Sequence, residues 1–158
     1  MQKSPGSIAY TDIMTSSIRG LMPQMTGFLA REYFFRTYIF VDDKSDLTFA
    51  HHTKTTNVDE ALEAKQAHER EVYKYDKEAK HYHTDNGTYA CKGHKTAVHN
   101  SKQTLLYCRV SVHFQNSKTE NRIKIISLVA RTALINGMHK WSNAVTPLLW
   151  PFAASNAV

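Results

Sequence analysis

KHYHTDNGTYA, residues Lys80–Ala90, is the stretch from which the rest of the chain is read. A run of aromatic residues and histidines ends at one carboxylate, Asp85, and Asn86-Gly87, a strong turn dipeptide, follows at once. The pattern predicts a strand that stops at Asp85. After it, KGHKTAVHNSKQ reads as a polar helical stretch and TLLYCRV as a further strand. Before it, Asn57 with Glu60 three residues on imitates a capping box, and Val58, Ala61, Leu62, Val72, Tyr75 and Ala79 recur loosely at helical spacing. Strands therefore alternate with helices around the quoted segment.

Further upstream, YFFRTYIFVDDKSDLTFAHHT holds two runs of β-forming residues around Asp42-Asp43-Lys44-Ser45 and reads as a hairpin. SIAYTDIM, residues 7–14, is a short strand bearing Asp12, and SSIRGLMPQMTG after it carries the Gly and Pro of a loop. Downstream, residues 118–136 form a helix whose apolar face is Ile123, Ile126, Val129, Ala130, Ala133 and Leu134, with Asn136-Gly137 as its stop. At 100° per residue, Lys124, Ser127 and Arg131 lie within about 40° of Glu120, giving the helix one edge that is acidic at its start and basic along its length. WSNAVTPLLWPFAASNAV reads as a last helix with two tryptophans to bury. This order predicts an α/β fold, a mixed sheet with helices packed on it.

With 158 residues and 42% hydrophobic content, the chain suffices for one well-cored domain, residues 1–158. Its formal charge of +6 suits a polyanionic partner such as nucleic acid, or an uninvolved basic surface. Cys91 and Cys108 are too far apart for a disulfide framework or a cysteine zinc site, which fits a reducing interior. His81, His83, His94 and His99 lie close in sequence, yet their spacings match no zinc-finger pattern. No stretch approaches the roughly twenty apolar residues of a membrane span, so a soluble protein is expected.

Three acids stand out because they come from three elements whose ends such folds bring together: Asp12, Asp85, and Glu120, which follows Asp85 by 35 positions. Converging carboxylates raise one another's pKa and repel unless a cation joins them. Mg²⁺ takes oxygen ligands, and a pair of ions can hold both the attacking and leaving oxygens of a phosphoryl displacement. On spacing alone an Asp-Asn-Gly is more often an ordinary turn, and an N-terminal Glu more often dipole compensation.

YHTDNGTYA, HFQNSKTENRI and WSNAVTPLLWPFA, preceded in the same order by AYTDIMTSSIRGLMPQMTG and TYIFVDDKSDLTF, resemble the integrase catalytic core of copia-type LTR retrotransposons, within the wider retroviral integrase family. The 35-position step between the second Asp and the Glu is the most specific element of this resemblance. It implies an RNase H-like fold with a five-stranded mixed sheet. It also implies two Mg²⁺ or Mn²⁺ ions held by the catalytic residues Asp12, Asp85 and Glu120, and an enzyme that joins an element's DNA 3′ end to target DNA in the nucleus. Asn86 and Asn116 match polar positions beside the family's acids. Gln115, Lys118, Lys124 and Arg131 complete the nucleic-acid-binding set, Lys124 and Arg131 on physical grounds. A homo-oligomer acting on paired DNA ends is implied, as is a fragment of a longer polyprotein. Ser117 stands where the family usually places Gly. A non-catalytic nucleic-acid-binding or protein-interaction remnant is the alternative.

Overall fold

The computed structural model describes residues 5–23, 32–85, 87–107 and 117–158. Five strands form one sheet: β1 (Ile8–Leu21), β2 (Tyr33–Asp42), β3 (Thr48–Thr53), β4 (His81–Thr84) and β5 (Thr104–Tyr107), in the spatial order β3-β2-β1-β4-β5. The first three pair antiparallel, while β4 runs parallel to both β1 and β5. The helices are α1 (Val58–Tyr73), α2 (Lys92–Asn100), α3 (Ser117–Lys140) and α4 (Trp150–Asn156). The expected mixed five-stranded sheet with flanking helices is present.

Strand β2 shows why helices cover both faces. Its residues 37–42 are all buried, so alternation sends Tyr38 and Phe40 to one side and Ile39 and Val41 to the other. Tyr38 and Phe40 join Ala61 and Ala64 of α1, with Tyr82 and Tyr89, in one core. Ile39 and Val41 meet Ile126 and Ala130 of α3, with Trp150 and Ala154 of α4, in the second.

Helix α1 begins where the capping residues place it. The Asn57 side chain accepts from the Glu60 amide at 2.9 Å, while the Glu60 carboxylate accepts from the Thr55 amide rather than from that of Asn57. It ends at Tyr73, earlier than its loose periodicity predicts. Asp76 takes a positive φ of 54°, Tyr73 and Tyr75 are exposed, and Ala79 reaches the core from extended chain.

Four expectations need correction, the first in the tail, where Trp141 is exposed rather than buried and the last helix is confined to Trp150–Asn156. Residues 16–21 of the expected loop continue β1 past a bulge, in which Ser16–Arg19 stand opposite Phe35 before Gly20 pairs with Phe34, while Met22 and Pro23 leave the strand and residues 24–27 lie outside the described residues. Asn136-Gly137 does not stop α3, which runs on to Lys140. Gly137 is buried there, and a Cβ on it would lie 3.0 Å from Val145 Cγ1, so the glycine serves packing rather than termination. Val129 and Ala133, expected on the core face of α3, are exposed, and the buried stripe is Ile126 and Ala130 with Ile123 and Leu134 partly covered.

Gly20 lies directly beneath α4. A Cβ there would stand 2.3 Å from Pro151 Cγ and 2.7 Å from Trp150 Nε1, the nitrogen that donates to the Ile18 carbonyl at 2.8 Å. Gly20→Ala is therefore expected to destabilise by about 1–3 kcal/mol, the usual cost of overpacking. Denaturant unfolding read through tryptophan fluorescence checks this, since an unchanged midpoint would mean α4 does not seat on the bulge.

Candidate active site

Asp12 lies inside β1, the middle strand, rather than at a strand end. It stands opposite Ile39, so its side chain is on the face that α3 covers. The parallel register ends with Tyr10 opposite His83, whose rings stack at 4.8 Å, and Asp12 and Asp85 each lie two residues beyond that pair in their own segments. Asp85 follows β4 directly, is exposed, and accepts from the Gly87 amide at 3.1 Å. Glu120 lies in the first turn of α3 and is half-buried.

Asp12 senses the charges of the other two acids. Burial pushes the Asp12 carboxyl above its ordinary value of 3.8, the Ile13 amide at 2.7 Å pulls it back, and the negative charges of Asp85 and Glu120 raise it further. The structure thus brings the acids from three elements into one electrostatic neighbourhood. Among the described residues, no group of three or more His, Cys, Asp or Glu side chains lies close enough to hold a metal ion unaided. The donor set is nevertheless all oxygen and mutually repulsive. That chemistry suits Mg²⁺, which commonly takes one or two carboxylates and fills its remaining positions with water and phosphate oxygens.

The polar and basic residues divide. Lys124 and Arg131 are exposed on α3, as is Ser127. Lys118 instead turns to the β2–β3 hairpin, where it forms an ion pair with Asp46 at 2.7 Å and donates to the Asp43 carbonyl. Arg122 donates to the Asp46 carbonyl at 3.2 Å. Together they tie the first turns of α3, and hence Glu120, to that hairpin. Asn86, Gln115 and Asn116 lie outside the described residues, as does Cys108.

Tyr89 was not singled out by sequence. It is fully buried, its phenol shares a 2.7 Å hydrogen bond with Thr11 Oγ1, and burial holds its pKa well above the ordinary value, with the Asp12 and Asp85 charges adding to the shift. It braces β1 from the face opposite Asp12, one residue away. The only signal was an aromatic residue just past the Asn-Gly turn.

Neither the protein-family models nor the curated protein sequences match this chain. Solved structures do. The HTLV-2 integrase catalytic core domain, in complex with magnesium, matches in its trimeric and dimeric forms with a TM-score of 0.63 at 15% identity, covering 97% of this chain and 82% or 83% of that one. The fold is RNase H-like, that of an integrase catalytic core. An integrase-core match also comes from a chain of the simian T-cell lymphotropic virus intasome in complex with PP2A regulatory subunit B56 gamma, with a TM-score of 0.67 at 17% identity. That match covers 95% of this chain but 47% of the intasome chain, so the present chain spans about half of its length. Within this fold, α3 packs on the face of the sheet to which Asp12 belongs. Among the described residues, no helix is long and apolar enough to cross a membrane.

Proposed function

We propose that this chain is an integrase-type polynucleotidyl transferase core, of copia-type retrotransposon kind, that joins a DNA 3′ end to target DNA. What supports this reading is the integrase-core fold, in which Asp12 stands on the face that α3 covers and Glu120 lies in the first turn of α3. Asp12, Asp85 and Glu120 would hold two Mg²⁺ or Mn²⁺ ions, whose chemistry is to polarise the phosphoryl oxygens and lower the pKa of the attacking hydroxyl. Asp12 contributes a rigid position, because mid-strand backbone and the Ile13 amide fix its carboxylate. Asp85 contributes a carboxylate on a turn, adjustable by small backbone shifts. Glu120 rides on a helix whose start Lys118 and Arg122 hold to the hairpin. Lys124 and Arg131, exposed along the same helix, take DNA phosphates. Asn86, Gln115 and Asn116 are assigned to DNA contact on the sequence resemblance, as are action in the nucleus and assembly into a homo-oligomer.

The deciding experiment titrates Mg²⁺ or Mn²⁺ by calorimetry into the wild type and into Glu120→Gln, with a DNA strand-transfer assay alongside. Saturable binding that the glutamine weakens, together with joined DNA products, is the expected result. Absence of metal binding to the wild type would favour a second reading, a non-catalytic nucleic-acid-binding remnant. That reading is motivated by the lack of any ready three-ligand cluster among the described residues.

Lys124→Ala is expected to weaken DNA binding equally for all sequences and to make the slope of log K against log salt shallower by about 0.9, the counterion release of one phosphate contact. Binding measured from 50 to 200 mM salt checks it. An unaltered slope would place the basic edge away from DNA.

A further inference from the structure

A cavity of about 520 Å³ opens at the end of the sheet where β1 starts and the β2–β3 hairpin turns. Asp12, Asp85 and Glu120 do not line it, so it is separate from the carboxylate site. Its apolar wall comes from Ala9, Leu47, Phe49 and Val72. His68 also lines it and is 4% exposed, its ring stacked on Phe40 at 4.5 Å and 11°, so the floor is flat and aromatic. Burial pushes the His68 pKa down to about 4, which keeps that floor neutral at pH 7.

The charged residues around it are unequal in what they leave available. Asp42 accepts from the amides of Gly6, Lys44 and Ser45 and from the Ser45 hydroxyl. Asp46 is paired with Lys118, and Glu71 with Lys74 at 2.6 Å. The acids are thus compensated within the protein. Lys77 and Arg122 form no ion pair among the described residues; Arg122 donates to the Asp46 carbonyl, and its charge helps hold the Asp46 carboxyl below its ordinary value. Both cations line the cavity. A volume inside the usual small-molecule range, an apolar aromatic wall and two cations outside any ion pair among the described residues define a ligand with a flat apolar body and one negative charge.

We propose that this cavity binds a small aromatic carboxylate, its ring against Phe49, Val72 and His68 and its charge met by Arg122 and Lys77. The test titrates 3-phenylpropionate, and separately the neutral 3-phenylpropionamide, into the full chain by calorimetry. Saturable one-site binding of the acid is expected, at least about tenfold weaker for the amide and for the Arg122→Gln/Lys77→Gln double variant, since losing a charge-assisted contact costs a factor of ten or more. No saturable binding of the acid, equal binding of acid and amide, or unchanged binding by the double variant would each overturn the proposal. Should the double variant fail to fold by circular dichroism, the comparison of acid with amide on the unaltered chain still decides it.

Discussion

Asp12→Asn is expected to reduce Mn²⁺-dependent DNA strand transfer by about 10³-fold or more and, in the absence of metal, to make the protein more stable at pH 7. On the proposed reading, the activity loss follows from removing one of the carboxylates that would hold the metal, whose stabilisation of transition-state charge is worth several kcal/mol at about 1.4 kcal/mol per factor of ten. The stability gain follows from the raised pKa. Below 3.8 the aspartate is protonated in both folded and unfolded chains. As pH rises, the unfolded chain ionises first, and the folded protein loses stability until its own, higher pKa is passed. Asparagine keeps an oxygen for the Ile13 amide without carrying the charge that Asp85 and Glu120 repel. Thermal unfolding in EDTA should therefore show a higher midpoint for Asp12→Asn at neutral pH and a shrinking difference toward pH 4. A less stable variant at pH 7, or one retaining full strand transfer, would remove Asp12 from the site.

Acidification from pH 7 to pH 4.5 is expected to cost this protein a large part of its stability. Three histidines, His52, His68 and His94, have pKa values pushed down by burial from 6.5 to about 4. For a depressed pKa, the stability is fully present above 6.5 and is lost as pH falls through the folded value near 4. At about 1.4 kcal/mol per pKa unit, His68 alone accounts for on the order of 3 kcal/mol. The carboxylates of Glu69, Asp42 and Glu71 favour its charged form and Lys65 opposes it, but burial between Phe40 and the core outweighs them. His94 adds a buried Nδ1 with no hydrogen-bond partner among the described residues, and His52 lies between Thr37 and Ser155 with both nitrogens engaged at 2.8 Å. Asp12 acts in the opposite direction, as a single group. Urea unfolding at pH 7.5 and pH 4.5 measures the loss, and His68→Leu should flatten the dependence. A midpoint independent of pH would contradict the buried neutral histidines.

The sheet and its helices were readable because each strong local signal agreed with the final packing. The hairpin of β2 and β3 formed where the β-forming runs flank an Asp-rich turn, and α1 started at its Asn57 cap. Misreadings came where tertiary contacts outweighed local preference. Ser16–Gly20 look like a loop because small polar residues and glycine disfavour strands, yet α4 covers Gly20 and the Trp150 indole binds the Ile18 carbonyl, so the chain re-enters the sheet after its bulge. Asn136-Gly137 looks like a helix end until Val145 packs against the bare glycine.

Sequence alone determined the elements that carry the three proposed acids, because strand patterning and helix-start position are local properties. It also determined that Lys124 and Arg131 share an edge with Glu120, a matter of helical angle. Only the tertiary structure decided that Asp12 faces α3, since register between β1 and β2 is a pairing of residues nearly thirty positions apart in the chain. Only the tertiary structure turned Lys118 toward Asp46, and placed Tyr89 beneath Thr11 across 78 positions. Periodicity specifies which side of its own element a residue takes, whereas the partner on that side depends on how the elements are packed together.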